Sequence, residues 1–240
     1  MTTSKIKKSL LLVAPIALIA SLITPASANA AVATRYITVS AEGTVKVAPD
    51  AVRLNATVTS VAPSAKEALA STSTNSAAVR KALIAAKIAT KDIATQNITV
   101  YPEYKYDTTG GSTLVGYRGS QIFSVVIRAA ASAGSVVDSV VADAGDAVQI
   151  NAVTPFILDA AKAAESARVV AVKNAKAKAT SYAKLLGIKL GKVNYLTENG
   201  SPAISTPLYT AMAKSEADAA TVVDLGQQDV TVSITIQWAL

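Results

Sequence analysis

The sequence predicts an α+β protein: a mainly antiparallel sheet with one long alanine-rich helix, one serine- and threonine-rich helix and a short helix packed on it. Apolar residues alternate with period two over several short segments bounded by turn residues, and recur at helical spacing over two long ones. The two patterns are interleaved with hairpin-like neighbours, not in the strict strand–helix alternation of a doubly wound parallel sheet.

The first segment is not part of that fold. Lys5, Lys7 and Lys8 precede an apolar run over 10–23, and Pro25-Ala26-Ser27-Ala28-Asn29-Ala30 supplies small residues for cleavage. This is the layout of a secretory signal over 1–30, with cleavage after Ala28 or Ala30 fitting equally well. Pro15 and Pro25 bracket a stretch shorter than the roughly 20 apolar residues that span a bilayer. The expected product is an exported domain over 31–240 with no transmembrane span, with two lobes split near 145 as the alternative organisation. No cysteine follows the apolar run to carry a lipid, and Trp238-Ala239-Leu240 ends the chain without a hydrophobic tail.

Within the domain, 37–41 reads as a strand, Glu42-Gly43 as a turn, and 44–47 as the returning strand of a hairpin. Pro49-Asp50 breaks it, and Val52, Leu54, Ala56 and Val58 alternate as a third strand. Leu69, Thr72, Ser76, Val79 and Leu83 then recur three or four apart, predicting a helix over 63–87 whose stability must come from packing more than from propensity. Strands follow over 93–106 and 114–128 around a loop at 107–111. A short helix over 135–142 stops before Gly145, and a strand covers 148–158. The longest helix is expected over 159–186 with Gly187 beyond its end. A strand over 193–197, a polar connection over 198–224 and an alternating strand through Val230, Val232, Ile234, Ile236 and Trp238 complete the chain.

Composition narrows the chemistry. The chain has neither cysteine nor histidine, which removes disulfides, thiol chemistry, the usual zinc and copper ligands and every Ser-His-Asp triad. Loss of residues 1–30 leaves 20 basic against 16 acidic residues, a formal +4 against +7 for the whole chain. That is far from the clustered basic footprint of a nucleic-acid binder, so none is expected as partner.

Several signatures in order resemble the SIMPL-domain family of exported bacterial proteins. They are Val39-x-x-x-Gly43 with Pro49-Asp50, the tyrosine-bearing segment Asn97 to Tyr106, Gly116-Tyr117, and Asp138 through Gly145. The helix ending Tyr182-Ala183-x-x-Leu186-Gly187-x-x-Leu190-Gly191 and the closing strand complete the set. The resemblance implies an envelope or secreted α+β protein, in some members assembled into rings or larger oligomers. It carries over no catalytic residue, and the 198–224 connection matches it least.

Candidate sites are few. On a helical wheel Lys162, Lys173, Lys176 and Lys184 fall within an arc of roughly 80°, opposite Ala164, Ala167, Ala171, Ala175, Tyr182, Leu185 and Leu186. The lysines read as a solvated face or as a basic stripe for an anionic polymer, with Glu165 placed to pair with Lys162 or Arg168. Lys178 falls in the apolar arc, where its stem lies over the core or meets another subunit. Ser181-Tyr182-Ala183-Lys184 matches the Ser-x-x-Lys pattern of penicillin-binding enzymes, but no Lys-Thr-Gly strand accompanies it. Tyr101, Tyr104, Tyr106 and Tyr117 gather on neighbouring strands, with Tyr104 and Tyr106 on one face and Tyr101 on the other. Asp138, Asp143 and Asp146 are too few and too spread for a calcium loop, so no metal and no cofactor is expected.

The expectation is a non-enzymatic exported protein, periplasmic, envelope-associated or secreted, acting by self-assembly or protein contact. The rivals are a module for an anionic envelope polymer, an enzyme using carboxylates or Ser181 and Lys184, and an outer-membrane barrel, whose wall has no place for two long helices.

Overall fold

The computed structural model describes residues 35–108, 110–205 and 220–240. The signal read over 1–30 and the middle of the 198–224 connection lie outside them. In chain order the elements are β1 Tyr36–Val47, β2 Ala51–Ala62, α1 Ala65–Ala85, β3 Ile93–Tyr106, β4 Ser112–Ile127 and α2 Ala133–Ala144. They continue with β5 Val148–Phe156, α3 Ala160–Leu185, β6 Val193–Glu198, β7 Ala203–Ser205 and β8 Gln228–Ala239. Every strand pairing is antiparallel, so the class is α+β as the patterning predicts.

The strands form two sheets. One has the order β3-β4-β2-β5, and the other β1-β8-β6 with β7 also on β8. Each has one apolar face and therefore its own core. Val52, Leu54, Val58, Phe123, Val125 and Ile127 meet Val79 and Leu83 of α1 and Val136 and Val140 of α2. On the other sheet Val39, Val230, Val232, Ile234, Ile236 and Trp238 meet the alanines of α3. The first sheet, continuous in sequence over 51–156, is inserted between β1 and the remaining strands of the second.

The expected hairpin at Glu42-Gly43 does not form. β1 runs unbroken and pairs with β8 from Tyr36↔Ala239 to Val47↔Gln228. Gly43 is needed for approach, not for turning. A Cβ there would overlap the carbonyl oxygen of Ala167 and the amide nitrogen of Ala171, so α3 can sit this close only over a bare Cα.

α1 starts where Ser64 Oγ accepts the amide of Glu67 at 3.2 Å, and its buried Thr72 donates to the Ala68 carbonyl at 2.8 Å. α3 starts where Asp159 accepts the amide of Lys162 at 3.0 Å, and Gly187 beyond its end takes φ +68. Its buried alanines Ala167, Ala171, Ala175, Ala179 and Ala183 step by four. A step of four advances the stripe about 40° around the axis, so the helix winds with the twist of the sheet beneath it.

Polar ties join the two halves. Asp50, in the link from β1 to β2, accepts the amide of Leu158 between β5 and α3 at 2.7 Å. Gln228, buried at the start of β8, donates to the Pro155 carbonyl of β5 at 2.9 Å. Pro49-Asp50 breaks the strand as expected, and its aspartate also fastens the return path of the chain.

Candidate functional site

The winding of α3 decides where its lysines stand. All four stripe lysines are exposed, and none is ion-paired among the described residues. They do not share one orientation to the sheet. Lys162 borders a notch with Asp50 and Asp159, whereas Lys176 borders a groove between α3 and β6. Lys173 is exposed in mid-helix, and Lys184 lies in the last turn.

The same winding corrects the apolar arc. Tyr182, Leu185 and Leu186 are exposed, Leu185 at 79%. By that turn Ala179 and Ala183 occupy the buried face, which has rotated away from the single arc that one projection of the whole helix assumes. Glu165 pairs with neither Lys162 nor Arg168. Arg168 reaches across to Glu198 at the end of β6, with Nε to Oε2 at 2.7 Å and Nη2 to Oε1 at 3.0 Å. That bidentate pair lowers the Glu198 pKa, through its hydrogen bonds first and charge second.

Lys178 lies at the rim of the buried stripe. Its Nζ donates to the Ser40 carbonyl at 3.3 Å, and Asn174 Nδ2 donates to the Glu42 carbonyl at 2.8 Å. Both acceptors belong to β1, an edge strand of its sheet. The helix thus caps backbone groups that would otherwise be a template for another strand.

The carboxylates are engaged structurally. Asp92 is buried, and Arg128 grips it bidentately with both bonds at 2.8 Å. Those bonds hold its carboxyl below the usual range against the desolvation that raises it. Asp138 accepts the amide of Thr221 at 3.2 Å as well as its hydroxyl, fixing the chain before β8 onto α2. Asp143 and Asp146 are exposed. Among the described residues no three potential ligands come together to hold a metal ion. Ser181 and Lys184 are both exposed, and no hydrogen bond joins them, so the pair lacks the geometry of an activated nucleophile.

The tyrosines mark the surface that the wheel and motif arguments undervalued. β2 pairs with β4 only as far as Ala62↔Tyr117, while β3 and β4 continue to Tyr106↔Ser112. The remainder, 103–106 with 112–116, is a two-stranded arm beyond the sheet. Its apolar side chains are open to solvent. Tyr104 lies opposite Leu114, and Tyr101, Tyr104, Tyr106, Leu114 and Val115 are all about half exposed or more. Tyr104 and Tyr106 share one face and Tyr101 lies on the other, as the alternation predicts. At the arm's base Arg118 pairs with Glu103. The sequence placed these residues on its predicted strands over 93–106 and 114–128, but alternation alone does not tell whether a layer covers them.

A 26 kDa periplasmic immunogenic protein of Brucella melitensis is 28% identical over 212 residues, which cover 83% of this chain and 82% of that protein. The protein of the same name from Brucella abortus is equally similar, at 28% over the same shares. An uncharacterized protein YggE of Edwardsiella ictaluri is 31% identical over 127 residues, half of each chain (50% and 51%). The model of the SIMPL family, described as protein of unknown function (DUF541), matches residues 37–238, from the first pairs of β1 to the last of β8. With both sheets and all three helices inside that match, the chain belongs to the SIMPL family.

Proposed function

We propose that the chain is exported to the cell envelope and acts there by self-assembly or protein contact, without turnover. The observation that carries this reading is the β3–β4 arm. A two-stranded stretch without further strands is marginal in water, and the end of this sheet presents apolar side chains on both faces with no layer over them among the described residues. Docking against a neighbouring molecule would bury those residues and hold the arm in register. The periplasmic name of the Brucella relatives supports the compartment, as does the amino-terminal charge and apolar pattern. Among the described residues no helix is long and apolar enough to cross a membrane.

Light scattering on residues 31–240 at low and moderate salt tests it. A defined oligomer that persists in salt is expected, and the double substitution Tyr104→Ser with Leu114→Ser should reduce its mass without changing far-UV dichroism. A monomer at every concentration would overturn the assembly reading.

A second reading rests on Lys162, Lys173, Lys176 and Lys184 of α3, exposed and without an ion-pair partner among the described residues, which suit an anionic envelope polymer. It requires binding that weakens with salt and falls on charge reversal at Lys173 and Lys176.

A further inference from the structure

α3 packs over β1 and β8 and leaves the β6 side of that sheet face without a helix among the described residues. Val193 and Leu196 pair with Trp238 and Ile236 across the ladder, so both point toward the helix layer. Yet Val193 is 55% and Leu196 51% exposed, against 5% for Trp238. Between these side chains and Val172 of α3 runs a groove of about 560 Å³. Its outer border is the edge of β6, which among the described residues pairs with β8 on one side only.

The groove is apolar along its floor and basic at its border. Lys176 of α3 and Lys192, just before β6, both line it, and neither has an ion-pair partner among the described residues. Glu198, the acidic residue of β6, is already held by Arg168. An open strand edge beside an apolar trough is what an extended chain needs. Main-chain groups pair with the edge, and alternate side chains enter the trough.

We propose that this groove binds an extended acidic peptide segment, which joins β6 as the next strand and places its carboxylates against Lys176 and Lys192. A second copy docking through its own β6 about a twofold axis would bring four lysines together, so charge disfavours that occupant. The site uses none of the arm residues, and its occupancy is independent of assembly through the arm.

Trp238 is the sole tryptophan and lies on the groove floor, so its emission reports binding. The probes are capped synthetic peptides matched to β6 in length. Each alternates threonine with valine, leucine or phenylalanine and carries glutamate at both ends. A matched set ends in lysine. Titrated into the mature chain, the glutamate set should give a saturable emission shift and slow amide exchange at 193–198. Lysine-ended peptides should bind about tenfold more weakly or worse, and Lys176→Glu with Lys192→Glu should weaken the glutamate set about tenfold while leaving far-UV dichroism intact. The Tyr104→Ser, Leu114→Ser variant should bind as the parent does, which separates this result from failure of the assembly reading. The proposal is overturned if no peptide gives a saturable shift, if both sets bind equally, or if exchange at 193–198 is unchanged. It is equally overturned, in favour of a second copy, if concentrating the chain alone produces the emission shift and slows exchange at 193–198.

Discussion

Asp92 is buried, and its two bonds to Arg128 are the main thing that makes its charge tolerable there. Since the folded carboxyl titrates below its unfolded value of about 4, the pair stabilises fully above that pH. The contribution is lost as pH falls through the lower folded value. Arg128 is half exposed, which limits the effect. Asp92→Asn should therefore cost about 1 kcal/mol near neutrality, or about 2–4 °C in Tm. The gap between variant and parent should close on acidification below about pH 4; a gap that stays constant with pH would contradict the assignment. Gly43 tests packing in place of charge. Gly43→Ala places a methyl where the backbone of α3 now lies, and should cost at least about 2 kcal/mol in urea unfolding.

At the scale of elements, edges and faces matter more than single residues. Asn174 and Lys178 cap two carbonyls on the edge of β1, so replacing both with alanine should raise the aggregation rate of the folded protein at unchanged helix content. Static light scattering during incubation measures it; an unchanged rate would show that the caps do not protect the edge. The elements themselves were legible because each carries a clear period. The boundaries of β3 appear in the sequence as they stand in the fold, and α1 differs by about two residues at each end. What periodicity could not supply was the partner. Alternation says that one face of a strand is buried, not which layer buries it, so the division into two sheets stayed hidden. Glycine is ambiguous in the same way: Glu42-Gly43 has turn chemistry, but the glycine answers a helix more than a hundred residues later. The exposure of the α3 lysines was legible on the wheel, but the rotation of the buried face was not, because a projection onto one circle assumes a single buried face for all turns. The β3–β4 arm and the open flank of β6 were missed for a related reason. Their apolar residues look like core until the absence of a covering layer among the described residues is seen.

For the whole molecule, the nesting of one sheet inside the other sets the order of assembly. Ser40 and Thr235 meet across the ladder 195 residues apart, whereas the inserted sheet closes on itself within 51–156. Closing the longer loop first would cost more entropy, so the inserted sheet should form earlier. Refolding monitored by Trp238 emission should lag behind amide protection in β2 and β4; simultaneous appearance would refute that order. β8 is also the central strand of its sheet, bonded to β1, β6 and β7. For a chain threaded through a translocation channel amino terminus first, β1 emerges at the outset and β8, its strand partner among the described residues, comes last. The unpaired apolar strand must then be shielded from neighbouring chains throughout passage, and a product cut short before residue 228 has no central strand to complete that sheet. Such a chain offers proteases an unfinished half instead of a slightly weakened protein, so quality control at the membrane can be nearly all-or-none.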